Sequence, residues 1–286
     1  MGKLGKVRIV TDSTADIPKQ VRDELMIESV PLKVHFAADT YLDGVTIGSD
    51  EFYDKLSAAK ELPTTSQPSP VDFVDVFKGV AAQDVTHIVS IHLASALSGT
   101  YQSAVLAKSL LEDKVHIDII DSRSASYGLG MLAVAAARAA KEGKSAEEIV
   151  EIVQHLRERT KLYFIVDTLE YLQKGGRIGK AAALFGTLLN IKPILSIDDG
   201  GEVCPVDKVR GQKKAMNRII ELLQKDFAGK KVNATIAHSK SFETAEEMAA
   251  LIKQHFDVAE LSFTNIGPVI GTHVGKGASA IFMSPV

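Results

Sequence analysis

The chain has 286 residues, with 33 Lys and Arg against 36 Asp and Glu, a formal net charge of -3 and 45% hydrophobic residues. That balance leaves no cationic excess to neutralise a phosphate backbone, which argues against nucleic acid as a partner, and the composition is that of a folded globular protein. The length predicts about two domains, and the single cysteine, Cys204, forms no internal disulfide, as expected in a reducing, cytoplasmic compartment.

In chain order, KVRIVTD (6–12), THIVSIHL (86–93) and VHIDIID (115–121) are short β-branched runs, each followed by a polar loop and a helical pattern. The alternation predicts a largely parallel sheet with helices at 18–26, 49–59, 71–82, 98–111, 125–141 and 145–159. A charged stretch, LRERTK (156–161), precedes the strand LYFIVD (162–167) and marks the expected boundary between an N-terminal α/β domain, 1–160, and a C-terminal α+β domain, 161–286. Beyond it, KPILSIDDGGEVCPVDKV reads as a hairpin turning at DDGG (198–201). KVNATIAHS, DVAELSFTNIG and GASAIFMSPV read as further strands, separated by helices at 210–226 and 242–255. YGLGMLAVAAARAA (127–140) and AAALFGTLLNIKPIL (181–195) are apolar on too many faces for one amphipathic stripe and read as buried core helices. GMLAVAAARAAKEG meets Arg138 before a bilayer would be crossed, so at most transient membrane contact is expected.

Strand-to-helix loops of a parallel sheet emerge at one edge, where ligands gather. Three of these loops are rich in hydroxyls, TDSTAD (11–16), ASALSGT (94–100) and DSRSAS (121–126), and the uncharged loop TTSQPS (64–69) is expected over the same edge. Helix capping accounts for part of this set, since SPVD (69–72) and STAD (13–16) have the spacing of capping boxes. It leaves Thr64, Thr65 and Ser66 together, and both Ser95 and Ser98 before one helix, without a structural role. Asp12, Asp16 and Asp121 nearby would repel a phosphate cluster, so a lone carboxylate suits the hydroxyls better.

LEYLQKGGRIGK (169–180) sets Lys174, Arg177 and Lys180 around a Gly-Gly turn, and IGPVIGTHVGKGA (266–278) places His273 among glycines that permit close backbone approach. The second is not a phosphate loop, because GTHVGKGA has three residues between its glycines where that pattern needs four. On spacing alone, Arg177 fits a surface ion pair and His273 a bonded core histidine as readily as a binding role. No His or Cys spacing suits a metal, no cofactor is implied, and no nucleophile elbow is present. A hydrolase built on Ser98, His273 and Asp121 remains as a rival reading.

VTDSTADIP, TTSQPS, LSGTYQSA (97–104), YLQKGGRIG (171–179), KVRGQKKA (208–215) and THVGKGA (272–278) together, in this order, resemble the DegV family over nearly the whole chain. The resemblance implies a two-domain α/β protein with its ligand at the interface. That ligand is one long-chain fatty acid, whose carboxylate would be presented to a separate ATP-dependent fatty acid kinase, so that the chain itself has no catalytic residues. It further implies that Thr65 and Ser98 bind the carboxylate and that Arg177 and His273 lie beside it. The sequence departs from the family at Lys276, where the family often has Pro. The alternatives are a hydrolase of acyl esters or thioesters using Ser98 and His273, and a carrier of another small carboxylate.

Overall fold

The computed structural model describes residues 6–111, 115–186 and 191–286. The first part of the chain runs through β1 (Val7–Asp12), α1 (Lys19–Glu24), β2 (Glu28–Val30), β3 (Lys33–Phe36), β4 (Asp39–Leu42) and α2 (Ser49–Ala58). Next come β5 (Thr64–Ser66), α3 (Pro70–Ala81), β6 (His87–His92), α4 (Thr100–Ser109), β7 (His116–Asp121), α5 (Tyr127–Lys141) and α6 (Ala146–Arg159). The remainder is β8 (Lys161–Ile165), α7 (Glu170–Lys174), β9 (Ile191–Ile197), β10 (Val203–Arg210) and α8 (Gln212–Phe227). It closes with β11 (Lys231–His238), α9 (Phe242–His255), β12 (Asp257–Asn265), α10 (Pro268–Val274) and β13 (Ser279–Pro285).

β1, β2, β6 and β7 form a four-stranded parallel sheet in the order β2-β1-β6-β7. Its two faces are both covered, as a parallel sheet requires. Val10 and Ile88 pack with Phe73 and Phe77 of α3 and Ala104 of α4, while Ile9, Val89 and Ile91 pack with Leu129 of α5 and Ile149 of α6. Helix α3 starts as the SPVD motif predicts, with Ser69 accepting from the Asp72 amide, the Asp72 carboxylate accepting from the Ser69 amide and Pro70 in the first turn. The second sheet is six-stranded and mixed, in the order β10-β9-β8-β13-β11-β12. The DDGG hairpin is present, with β9 and β10 antiparallel and Gly201 at φ 83 in the turn. Alternation along β13 sends Ile281 and Met283 toward α8 and α9, and Ala280 and Phe282 toward the opposite face, which looks at the parallel-sheet half.

Three expectations are corrected, and one segment read without an element is assigned. The STAD segment is no capping box: Asp12 caps a single 3-10 turn over Ser13–Ala15, and Asp16 takes a left-handed backbone that aims its side chain elsewhere. The run 181–195 is not a helix, since a 3-10 stretch ends at Leu184 and β9 begins at Ile191, with 187–190 outside the described residues. The glycine-rich segment 266–278 holds α10, begun by Pro268 at its first position. Residues 64–66 are strand β5, the edge of a three-stranded antiparallel sheet in the order β4-β3-β5.

Candidate functional site

The loops leaving β1 and β6 lie on either side of the point where the parallel sheet reverses its winding. The apolar face of the mixed sheet lies against this edge, and between the two is a cavity of about 400 Å³. Its walls are mainly apolar, from Leu93, Leu97, Leu162, Phe164, Val203 and Phe282 among others. All four residues singled out in the sequence, Thr65, Ser98, Arg177 and His273, line it. That volume lies within the range of small-molecule sites, roughly 300–1,000 Å³.

Each polar residue is held by local structure. Thr65 sits in β5, paired opposite Val34 of β3, and its Oγ1 lies 2.9 Å from Nε2 of His273 at the end of α10. Ser98 precedes α4, whose N-terminal residue Gly99 has no capping side chain, so Ser98 Oγ accepts the Thr100 amide at 3.3 Å and pairs with Thr100 Oγ1 at 2.9 Å. Gln67 crosses over this turn and donates to Ser103 Oγ at 3.2 Å. A Cβ on Gly99 would come within 2.2 Å of the Gln67 amide oxygen, so a side chain there would push the glutamine off this turn. Among the described residues Arg177 makes no ion pair of the kind its spacing allows. Its Nε donates to the Leu97 carbonyl at 3.0 Å and its Nη1 to the Gly175 carbonyl at 2.7 Å, which fixes the guanidinium beside Ser98.

Burial, helped by the nearby charge of Arg177, pushes the His273 pKa from 6.5 down to about 4, so the ring is neutral near pH 7. Among the described residues its Nδ1 is buried and without a partner. Gly175 closes on that edge, where a Cβ would stand 2.2 Å from Nδ1. Around His273 the site gathers the Thr65 and Ser98 hydroxyls, a neutral imidazole and one fixed cation, with Ser66, Ser126 and Ser279 elsewhere on the wall, a set suited to a single negative charge.

The rival hydrolase arrangement is not assembled. Ser98 bonds to Thr100 and His273 to Thr65, while the Asp121 carboxylate accepts the backbone amides of Ser95 and Arg123. Ser95 thus anchors its loop through its amide and does not line the cavity. Sequence reasoning omitted Gln67 and Ser126, which do line it. Both stand inside quoted hydroxyl-rich loops, so the signal was the loop composition itself. Among the described residues there is no group of three or more His, Cys, Asp or Glu placed to hold a metal ion, and no helix is long and apolar enough to cross a membrane.

A family model described as an uncharacterised protein of the DegV family matches residues 6–286. The chain belongs to the DegV family. It is 40% identical over 282 residues to a DegV domain-containing protein of Caldanaerobacter subterraneus subsp. tengcongensis, covering 98% of this chain and 99% of that one. Among solved structures, a DegV family protein of Thermus thermophilus described by its fatty acid binding matches with a TM-score of 0.92 and 33% identity, over 98% of this chain and 100% of that one. DegV of Bacillus subtilis, described as a fatty acid binding protein, matches with a TM-score of 0.89 and 35% identity, over 99% and 100% of the two chains. A Ruminococcus gnavus member refined with vaccenic acid matches with a TM-score of 0.87 and 27% identity, over 97% and 99%.

Proposed function

We propose that this chain binds one long-chain fatty acid and presents its carboxylate to a separate ATP-dependent kinase, which converts it to an acyl phosphate. The observation that carries the reading is the apolar cavity of about 400 Å³ ending at Thr65, Ser98, Arg177 and His273. The relatives that bind fatty acids support it. Burying about fifteen methylenes at about 0.8 kcal/mol each gives a gross gain on the order of 12 kcal/mol before ordering costs, so the tail drives affinity and the polar end fixes orientation.

In this reading Thr65 Oγ1 and Ser98 Oγ donate to the carboxylate. Thr65 then accepts from His273 Nε2–H, and the bare Nδ1 left against Gly175 is a lone pair rather than a stranded donor, the cheaper of the two tautomers to bury. Arg177 lies where the added charge of an acyl phosphate would develop, so it stabilises the product of phosphorylation more than the acid. We also assign residues 1–160 and 161–286 to two domains, with the cavity between them and no cofactor of their own.

Mass spectrometry of the organic extract of natively purified protein tests the ligand, with a C14–C20 fatty acid expected. An extract without acyl species, together with no thermal shift on adding oleate, refutes it. For the presentation step, Arg177→Ala is expected to keep affinity within about threefold while acyl phosphate formation with the cognate kinase and ATP falls at least tenfold. Hydrolysis of acyl esters or consumption of ATP by the chain alone would overturn the carrier reading.

A further inference from the structure

On the side of α10 away from His273, two carboxylates reach across from the N-terminal loops. Asp16 Oδ1 accepts the Gly267 amide at 2.9 Å, its other oxygen accepts the Ser126 hydroxyl, and its backbone carbonyl accepts Thr264 Oγ1. Asp43, only 3% exposed, accepts Ser13 Oγ at 2.8 Å and stands at the same helix end, its Oδ1 3.5 Å from where a Cβ on Gly267 would lie. Gly267 and Val269 belong to the first turn of α10, and Ile266, Val269, Ile270 and His273 all line the cavity. Ser126, which donates to Asp16, lines it as well. One wall of the cavity is therefore tied by the Gly267 amide to Asp16, with Asp43 buried beside the same helix end, and both carboxylates come from the opposite half of the molecule.

We propose that Asp16 and Asp43 form a proton-linked clasp on α10 that governs how fast a fatty acid enters and leaves the cavity. The proposal rests on the fatty-acid reading above and adds its regulation. Burial raises the carboxyl of Asp16 well above its ordinary 3.8, and Asp43 and Asp12 add to the effect against the opposing bonds from Ser126 and Gly267. Burial, reinforced by Asp12, raises Asp43 to about 7. The other charged or titratable groups facing the pair are Tyr53 from α2, and Lys19 and Arg22 from α1 in the adjoining cleft, with Arg8, Asp23 and Glu28 on the outer side of Asp43. None of these forms an ion pair with either carboxylate among the described residues.

The direction follows from the raised values. A carboxyl that titrates at about 7 when clasped and near 3.8 when solvated favours the clasped form at low pH, and that preference is lost as pH rises from 3.8 through 7. The limiting slope is about tenfold in the open-to-closed ratio per pH unit, levelling once Asp43 is ionised. Release is thus expected to quicken with pH by roughly 25-fold between 5.5 and 7.5.

The test follows transfer of a fluorescent fatty acid from protein to excess phosphatidylcholine vesicles between pH 5 and 9, beside urea unfolding of the ligand-free protein over the same range. Wild type should show the rise in release and a loss of stability through the same window. Asp43→Asn, which imitates the protonated carboxyl, should release slowly with no rise. Ser13→Ala, which removes a donor favouring the ionised form, should move the midpoint to higher pH. A wild-type release rate flat across the range, or the same midpoint in Asp43→Asn, overturns the clasp, since titration of the ligand's own carboxyl would survive that substitution. If wild type holds no acyl chain, the fatty-acid reading falls and the exchange role with it, while the proton linkage is still decided by the unfolding series.

Discussion

Replacing Thr65 with Val removes one hydroxyl from the proposed head-group site while keeping a β-branched side chain in β5, so the strand is not perturbed. The hydroxyl has two partners in the argument. In the free protein it is 2.9 Å from His273 Nε2, and the ring's other nitrogen already has no partner, so the substitution leaves the imidazole unpaired. A buried polar group stranded in this way costs about 1–3 kcal/mol, and at this chain length each kcal/mol lowers the unfolding midpoint by about 2–4 °C. With ligand present, the lost bond to a carboxylate is worth about 1.5–3 kcal/mol, a weakening of about 10- to 150-fold in Kd. The assay is calorimetric or fluorescent titration of delipidated protein with oleate at pH 7.5, where His273 is neutral. Thr65→Ser, which restores the hydroxyl, should bind close to wild type, and a double-mutant cycle with His273→Gln should show coupling of about 0.5–3 kcal/mol. Wild-type affinity in Thr65→Val, or a Ser variant as weak as the Val variant, would place the head group elsewhere.

Gly175→Ala drives a methyl into His273 Nδ1, so it should weaken fatty acid binding about tenfold or more while circular dichroism remains native; unchanged binding would show that the ring is free to move. His273 has its pKa depressed from 6.5 to about 4, so its contribution to stability is present above 6.5 and is lost as pH falls toward 4, by roughly 3 kcal/mol at most. Urea midpoints of wild type and His273→Gln should therefore converge with acidification over that window, and parallel curves would contradict the assignment. Asp12→Ala strands the Leu93 amide and His92 Nδ1, each 3.0 Å from Asp12 Oδ2, and should cost on the order of 3 kcal/mol or more. An unaltered unfolding midpoint would show that this buried network contributes little.

The parallel sheet is legible in the sequence because its strands are β-branched runs at regular spacing, and the cavity edge is legible in part because the hydroxyls of 64–66 exceed what helix caps need. Ser98, by contrast, serves the α4 N-terminus through the Thr100 amide, so capping alone accounts for it and only the family motif singles it out. Other parts carry no local signal. The β3–β4 hairpin turns on Ala37, at φ 48, a residue that does not announce a turn. Helix α10 is masked by Gly271, where a Cβ would stand 2.6 Å from the Tyr53 hydroxyl, so the residue that disguises the helix is the one that lets α2 pack on it. The two clasp carboxylates, Asp16 and Asp43, share no motif; only the fold brings them to one helix end.

Of the histidines that bond to a hydroxyl, His92 and His273 differ in a way that bears on where the chemistry occurs. His92 Nε2 is 2.7 Å from Ser90 Oγ and its Nδ1 is 3.0 Å from Asp12, the connectivity of a serine hydrolase triad, yet all three residues are completely buried and Phe73 packs edge-on against the ring at 4.9 Å. With no route for a substrate, this network serves to tie β1 to β6 at the sheet's switch point. His273 has the opposite character. It borders the cavity and touches a hydroxyl, but the nitrogen that a triad would give to an acid faces Gly175 without a partner, and burial keeps the ring from holding a proton at neutral pH. A base so disarmed is poorly suited to activate Thr65 or Ser98 as a nucleophile, and in the proposed function its part would be to orient a hydroxyl toward the carboxylate. With the fully connected triad sealed away from the cavity and the accessible histidine lacking its acid, the arrangement supports a chain that holds and orients its ligand while another protein supplies the bond-making step.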